Sequence, residues 1–162
     1  MYTPLYVTSN YSFLSSLVKL DDIICKARKM GIKSLGLCDD NMIGTMHFYK
    51  KCVENDIKPI IGYDLCLKIN NIDFHILLYA KNINGYQNII KIVTFKENNL
   101  EYINELLDDV VVIIPYKYKD IYTQINSSCK YIGISSKKEE AHANEQEKVF
   151  INKILYVEKK DY

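Results

Sequence analysis

The sequence predicts an α/β domain in which about seven mainly parallel strands alternate with about six helices. Three observations carry that reading. Short β-branched runs alternate with stretches of helical period along most of the chain. The run Val110-Val111-Val112-Ile113-Ile114, closed by Pro115, lacks polar alternation and suits a strand covered on both faces. A length of 162 residues, 48% of them hydrophobic, supplies one core, so residues 1–162 are expected to form a single domain.

Taken in order, Leu5-Tyr6-Val7-Thr8 reads as a strand and Lys19 to Met30 as a helix stopped by Gly31. Ser34 to Cys38 is the second strand, ended by Asp39-Asp40-Asn41, and a helix follows from Gly44 to Asn55 with Met46, Tyr49, Cys52 and Val53 at helical spacing. Lys58-Pro59 opens a long strand to Lys68, Asn70-Asn71 makes a hairpin turn, and Phe74 to Ala80 returns. Helices are expected from Gly85 to Phe95 and from Leu100 to Leu107, before the Val110–Ile114 strand. A helix from Lys119 to Ser127, a strand from Tyr131 to Ile134, a polar helix from Glu139 to Glu147 and a strand beginning at Val149 complete the pattern. At about 23 residues per β-α unit the chain is lean for a barrel, whose typical length is roughly 250 residues, so minimal units and an open sheet both fit.

Composition narrows the function classes. The net charge of +1 gives no general electrostatic pull toward nucleic acid or anionic lipid. No apolar run is long enough to span a bilayer, and the N-terminus lacks the pattern of a signal peptide, so a cytoplasmic protein is expected. Ile, Lys, Asn and Tyr make up 71 of 162 residues, a skew that suits AT-rich codon usage better than selection for a basic patch. Arg28 is the lone arginine, so bidentate phosphate clamps are scarce. Five cysteines (Cys25, Cys38, Cys52, Cys66, Cys129) never form a C-x-x-C pair and are expected to be reduced core residues.

In parallel α/β folds functional groups collect where strands end. No glycine-rich dinucleotide or phosphate loop, nucleophile elbow or H-E-x-x-H motif occurs. Asp39-Asp40 could hold a cation at a strand end, or Asp40 or Asn41 could cap the next helix. Asp64 sits in an apolar strand, where a carboxylate needs a partner or an opening to water. His75 lies within a strand as a satisfied core histidine or a ligand, and His47 and His142 read as packing or surface residues. Ser9, Ser12, Ser15 and Ser16 have no histidine nearby in sequence to activate them.

The order of several segments resembles a known family. Tyr11-Ser12-Phe13-Leu14, Leu37-Cys38-Asp39 and Asn41-Met42-Ile43-Gly44 are followed by two longer segments. Asp56-Ile57-Lys58-Pro59-Ile60-Ile61-Gly62-Tyr63-Asp64 is one. The other is His75-Ile76-Leu77-Leu78-Tyr79-Ala80-Lys81-Asn82, running into Gly85-Tyr86-Gln87-Asn88-Ile89-Ile90-Lys91. Together they resemble the polymerase and histidinol phosphatase (PHP) domain at the N-terminus of the bacterial DNA polymerase III α subunit, most closely over residues 5–94. The resemblance implies a compact, distorted βα barrel of the TIM-like kind.

Catalytic members of that family hold several divalent metals on histidines and carboxylates and hydrolyse phosphate esters with metal-activated water. Carried over position by position, most of that ligand set is replaced in this chain. The H-x-H-S-D-Y-S motif is here Tyr6-Val7-Thr8-Ser9-Asn10-Tyr11-Ser12, and D-H is Asp39-Asp40. N-D-x-H-Y aligns with Asn152-Lys153-Ile154-Leu155-Tyr156. The vestigial metal positions are thus Tyr6, Thr8, Asn10, Asp39, Asp40, Asp64, His75, Lys153 and Leu155. Asp40, Asp64 and His75 remain as ligands for at most weak zinc or manganese binding, and no cofactor is expected. The resemblance implies a catalytically silent domain with a structural or docking role in DNA replication. Its partners would be the thumb and palm of the rest of a polymerase α chain and the proofreading exonuclease subunit, with no direct contact to nucleic acid or membrane. Two other readings stay open: an active PHP-type phosphoesterase or 3′-5′ exonuclease, and a stand-alone module for a phosphorylated ligand.

Overall fold

The computed structural model describes residues 2–95, 99–143, 147–155 and 157. Its elements are α1 (Leu20–Lys29), β1 (Ser34–Asp39), α2 (Thr45–Glu54), β2 (Lys58–Ile69), β3 (Ile72–Ala80), α3 (Ile83–Thr94), α4 (Leu100–Glu105), β4 (Val110–Pro115), a 3₁₀ segment (Tyr116–Gln124), β5 (Lys130–Ile134), α5 (Lys137–His142) and β6 (Lys148–Phe150). The six strands are hydrogen-bonded in sequence order. The chain divides into two compact units, Met1–Gly62 with Asn152–Tyr162, and Tyr63–Ile151.

In the first unit the core gathers Val7, Val18, Leu20, Ile23, Ile24, Ala27, Leu35, Leu37, Phe48, Cys52 and Ile57. Helix α1 joins that core by burying Leu20, Ile23, Ile24 and Ala27, spaced along one face. Asp21 and Asp22 in its first turn and Lys26, Arg28 and Lys29 in its last complement the helix dipole. The expected first strand, Leu5–Thr8, is reduced to a single bridge residue, so six strands stand among the described residues where seven were expected. Val7 pairs in parallel with Leu37 on one side and Ile154 on the other. Glycine is required at Gly36, since a Cβ there would run into the Leu5 carbonyl, and Gly36 N donates to Pro4 O at 2.7 Å.

In the second unit, Asn70 (φ 49°) and Asn71 (φ 62°) form the turn between β2 and β3, using the left-handed conformation that Asn tolerates. β3 pairs antiparallel with β4, while β4–β5 and β5–β6 are parallel. The antiparallel pair departs from the mainly parallel expectation for a connective reason. A single crossover helix returns the chain for a parallel strand, but α3 and α4 follow one another here, so the chain re-enters at the end where β3 left. Lys81 N accordingly donates to Asp109 O at 3.0 Å, and Gly85 lies so close to the Asp109 carbonyl that a Cβ would collide with it. The side chain of Asn82 caps α3 by accepting from Asn84 N and Gly85 N, Asn99 caps α4, and Ser136 caps α5. The centre of this unit's core comes from two adjacent strands: Ile76, Leu77 and Leu78 of β3 are fully buried, as are Val112 and Ile114 of β4.

Two further expectations change. The Lys119–Ser127 helix is a kinked 3₁₀ segment over Tyr116–Gln124, started immediately after Pro115. Cys38 and Cys52 are buried, but Cys25 and Cys66 are exposed and Cys129 is half-buried. Cys25 falls on the face of α1 opposite its buried stripe. Part of the expected Glu139–Glu147 helix, residues 144–146, lies outside the described residues, as does Tyr156.

Candidate functional site

The candidate positions divide between the units: Tyr6, Thr8, Asn10, Asp39, Asp40, Lys153 and Leu155 belong to the first, Asp64 and His75 to the second.

In the first unit Asp39 closes β1 with 1% exposure. Its Oδ1 accepts from Ser9 N at 2.6 Å and from Ser12 Oγ at 2.8 Å, and its Oδ2 accepts from Ser9 Oγ at 2.6 Å. Both oxygens of this carboxylate are therefore engaged by its own neighbouring loop. Burial pushes the Asp39 carboxyl above the ordinary 3.8, against the lowering pull of the Ser9 and Ser12 hydrogen bonds, and the charge of Asp40 adds to the rise. Asp40 is exposed; its N–H donates to Ser12 Oγ at 3.2 Å and its Oδ1 accepts from Asn41 Nδ2 at 2.8 Å. Neither Asp40 nor Asn41 caps α2, whose N-cap is Gly44 without a side-chain cap; Asn41 instead bends the turn before it, accepting from Ile43 N at 3.0 Å.

The remaining positions of this unit make the following contacts. Thr8 is buried and donates from Oγ1 to Cys38 O at 3.4 Å. Asn10 is exposed, and its N–H donates to Val18 O at 2.8 Å. Leu155 serves through its backbone, whose carbonyl accepts from Leu17 N and Ser16 Oγ, both at 3.1 Å. Lys153 places its Nζ 4.9 Å from the centroid of the buried Tyr6 ring.

In the second unit Asp64, 6% exposed, lies on β2 and His75 on the adjacent β3, and His75 Nδ1 stands 2.9 Å from Asp64 Oδ1. The buried carboxylate thus has the partner its apolar strand demanded. His75 is not a core residue: its side chain is 42% exposed. Its ring stacks on Tyr118 at 6.2 Å between centroids and 28° between planes, and Lys117 Nζ sits 4.4 Å from the Tyr118 centroid. Among the described residues no group of three or more His, Cys, Asp or Glu side chains converges as a metal site.

Sequence reasoning misses the roles of Ser9, Ser12 and Tyr118. As nucleophiles the serines lack a histidine, whereas the signal they carry is the density of hydroxyls beside a buried strand-end acid. Tyr118 falls just before the segment that reads as helix, with nothing local to announce its ring contact. His47 is also more engaged than a plain packing residue: Tyr11 Oη lies 3.2 Å from its Nδ1, and Asp21 Oδ1 lies 3.4 Å from its Nε2.

No helix among the described residues is long and apolar enough to cross a membrane. The chain is similar to the DNA polymerase III subunit alpha of Streptococcus pyogenes serotype M3, with 30% identity over 147 residues that cover 88% of this chain and 14% of that protein. The namesake subunit of Mycoplasma genitalium is 34% identical over 131 residues, covering 75% of this chain and 15% of that protein. The chain therefore spans about one seventh of the length of these relatives. Among solved structures, an amidohydrolase from Chromobacterium violaceum superposes with a TM-score of 0.65 at 8% identity, over 99% of this chain and 89% of its own. A two-domain protein from Bacteroides vulgatus, named for a PHP-like metal-dependent phosphoesterase, gives a TM-score of 0.56 at 10% identity, over 82% and 43%. These likenesses support an α/β fold of the PHP kind. The PHP domain family matches residues 4–160, nearly the whole chain, and the chain belongs to that family.

Proposed function

We propose that this chain is a metal-poor PHP domain of a DNA polymerase III α-type chain, working in the cytoplasm as a structural and docking element of DNA replication. The observation that supports the reading is the engagement of Asp39 by Ser9 and Ser12. A metal ligand needs a free lone pair aimed at the ion, and here three donors take up most of the roughly four acceptor sites of the acid at the first unit's strand end. Lys153 adds a positive charge at an aligned ligand position, which opposes a divalent cation there. Asp40 in the first unit and the Asp64–His75 pair in the second are the retained ligand types, enough for weak zinc or manganese binding within a unit at most, and this donor set does not fit a multinuclear cluster.

Docking has its own support in the first unit. Phe13 (83%), Leu14 (92%) and Leu17 (69%) are exposed on the loop that Asp39 anchors. Ile43, Met46, Tyr49 and Val53 are also exposed, at the spacing of one helical stripe along and just before α2. Apolar surface of this kind suits burial against another protein, here the thumb and palm of the polymerase chain, or its exonuclease subunit. The distorted, TIM-like βα barrel that the resemblance implies belongs to the same reading.

Metal analysis of the purified protein, dialysed after growth with zinc and manganese, tests the proposal. The expected outcome is less than one metal per chain, with no hydrolysis of a nitrophenyl phosphate in manganese. Stoichiometric retention of two or three metals, or metal-dependent turnover, overturns it in favour of an active phosphoesterase, the reading that the Asp64–His75 pair would then support.

A further inference from the structure

The Asp64–His75 pair has a chemistry that needs no metal. The Asp64 carboxylate can only accept, so the ring nitrogen facing it, Nδ1, carries the imidazole proton in the neutral ring. The lone pair is then on Nε2, which makes no hydrogen bond among the described residues, on a side chain 42% exposed. Two contacts fix the ring: the 2.9 Å bond to Asp64 and the stacked face of Tyr118, itself braced by Phe74 at 5.8 Å between centroids. A nucleophile oriented by a third group whose charge offsets the charge it develops is the general pattern of covalent catalysis by side chains.

The geometry points to His75 as a phosphoryl-acceptor site, modified at Nε2 by small acyl phosphates. In the step, the Nε2 lone pair forms a P–N bond while the bond from phosphorus to the acyl oxygen breaks, and the carboxylate leaves with that electron pair. The Nδ1 proton stays in its bond to Asp64, whose negative charge offsets the positive charge gained by the ring. No oxidant, reductant or metal enters the balance.

The chain contains its own control. His142 is exposed, and its Nδ1 is likewise held, 2.6 Å from Lys138 O, but by a neutral carbonyl in place of a carboxylate. The whole protein is treated with acetyl phosphate in EDTA and mapped by mass spectrometry under alkaline conditions that preserve phosphoramidates. His75 is expected to gain an acid-labile phosphoryl group at least about tenfold faster than His142, and Asp64→Asn to reduce the rate to that of His142. Labelling of His75 no faster than His142, or no labelling of His75, overturns the inference within the unmodified protein and independently of how the variant folds. EDTA separates this outcome from the metal question, so its failure leaves the docking proposal standing.

Discussion

Asp39 is a buried carboxylate held in a net of hydroxyl and amide donors. Its carboxylate ties down Ser9 and Ser12, and burial raises its proton affinity above the ordinary carboxylate value. The folded protein therefore binds this proton more tightly than the unfolded chain does. The associated stability is fully present below 3.8 and is lost as the pH rises through the raised folded value. Asp39→Asn cannot ionise, so relative to the parent its urea midpoint should improve as the pH climbs through that window. A difference that stays constant with pH would show that the charge is not penalised. Ser12→Ala removes a hydroxyl donor from the same buried acid and should cost about 1–3 kcal/mol in urea unfolding at neutral pH.

The loop and cap elements lend themselves to sharper tests. Leu14 holds φ at 58° with its side chain 92% exposed, so it bears left-handed strain that packing does not offset. Leu14→Asn should raise the thermal midpoint, by an amount equivalent to about 1 kcal/mol. A drop instead would mean that Leu14 makes a stabilising contact at that tip. Asn82→Ala removes the acceptor for two orphan amides of α3 and should cost about 1 kcal/mol in the same measurement. The elements themselves were largely legible, because periodicity and caps act locally: Asn82, Asn70-Asn71 and the Val110–Pro115 run mark real boundaries. The mainly parallel character was legible, but the direction of β4 against β3 was not, because that antiparallel pair depends on how α3 and α4 traverse in series. Nor was the fate of Asp39, since Ser9 and Ser12 meet it from about thirty residues away in sequence. Asp64 and His75 could be singled out by type, but their bond crosses a hairpin and becomes visible only with register.

For the molecule as a whole, the proposed metal-poor reading predicts insensitivity to chelation. Addition of EDTA is expected to leave the thermal midpoint unchanged, whereas a bound structural ion would add stability that the chelator removes. The relatives it matches are about seven times longer, and under the proposed docking role the exposed apolar loop and α2 stripe would be buried against another part of such a chain. The cysteines offer a view of the first unit in motion. Cys52 sits in its core with burial pushing the thiol up to about 12, while Cys25 on α1 is exposed. A disulfide reagent will therefore consume Cys25 at once and reach Cys52 when this unit opens. The ratio of the two rates is a clock for local unfolding, kept by a residue with no other evident duty.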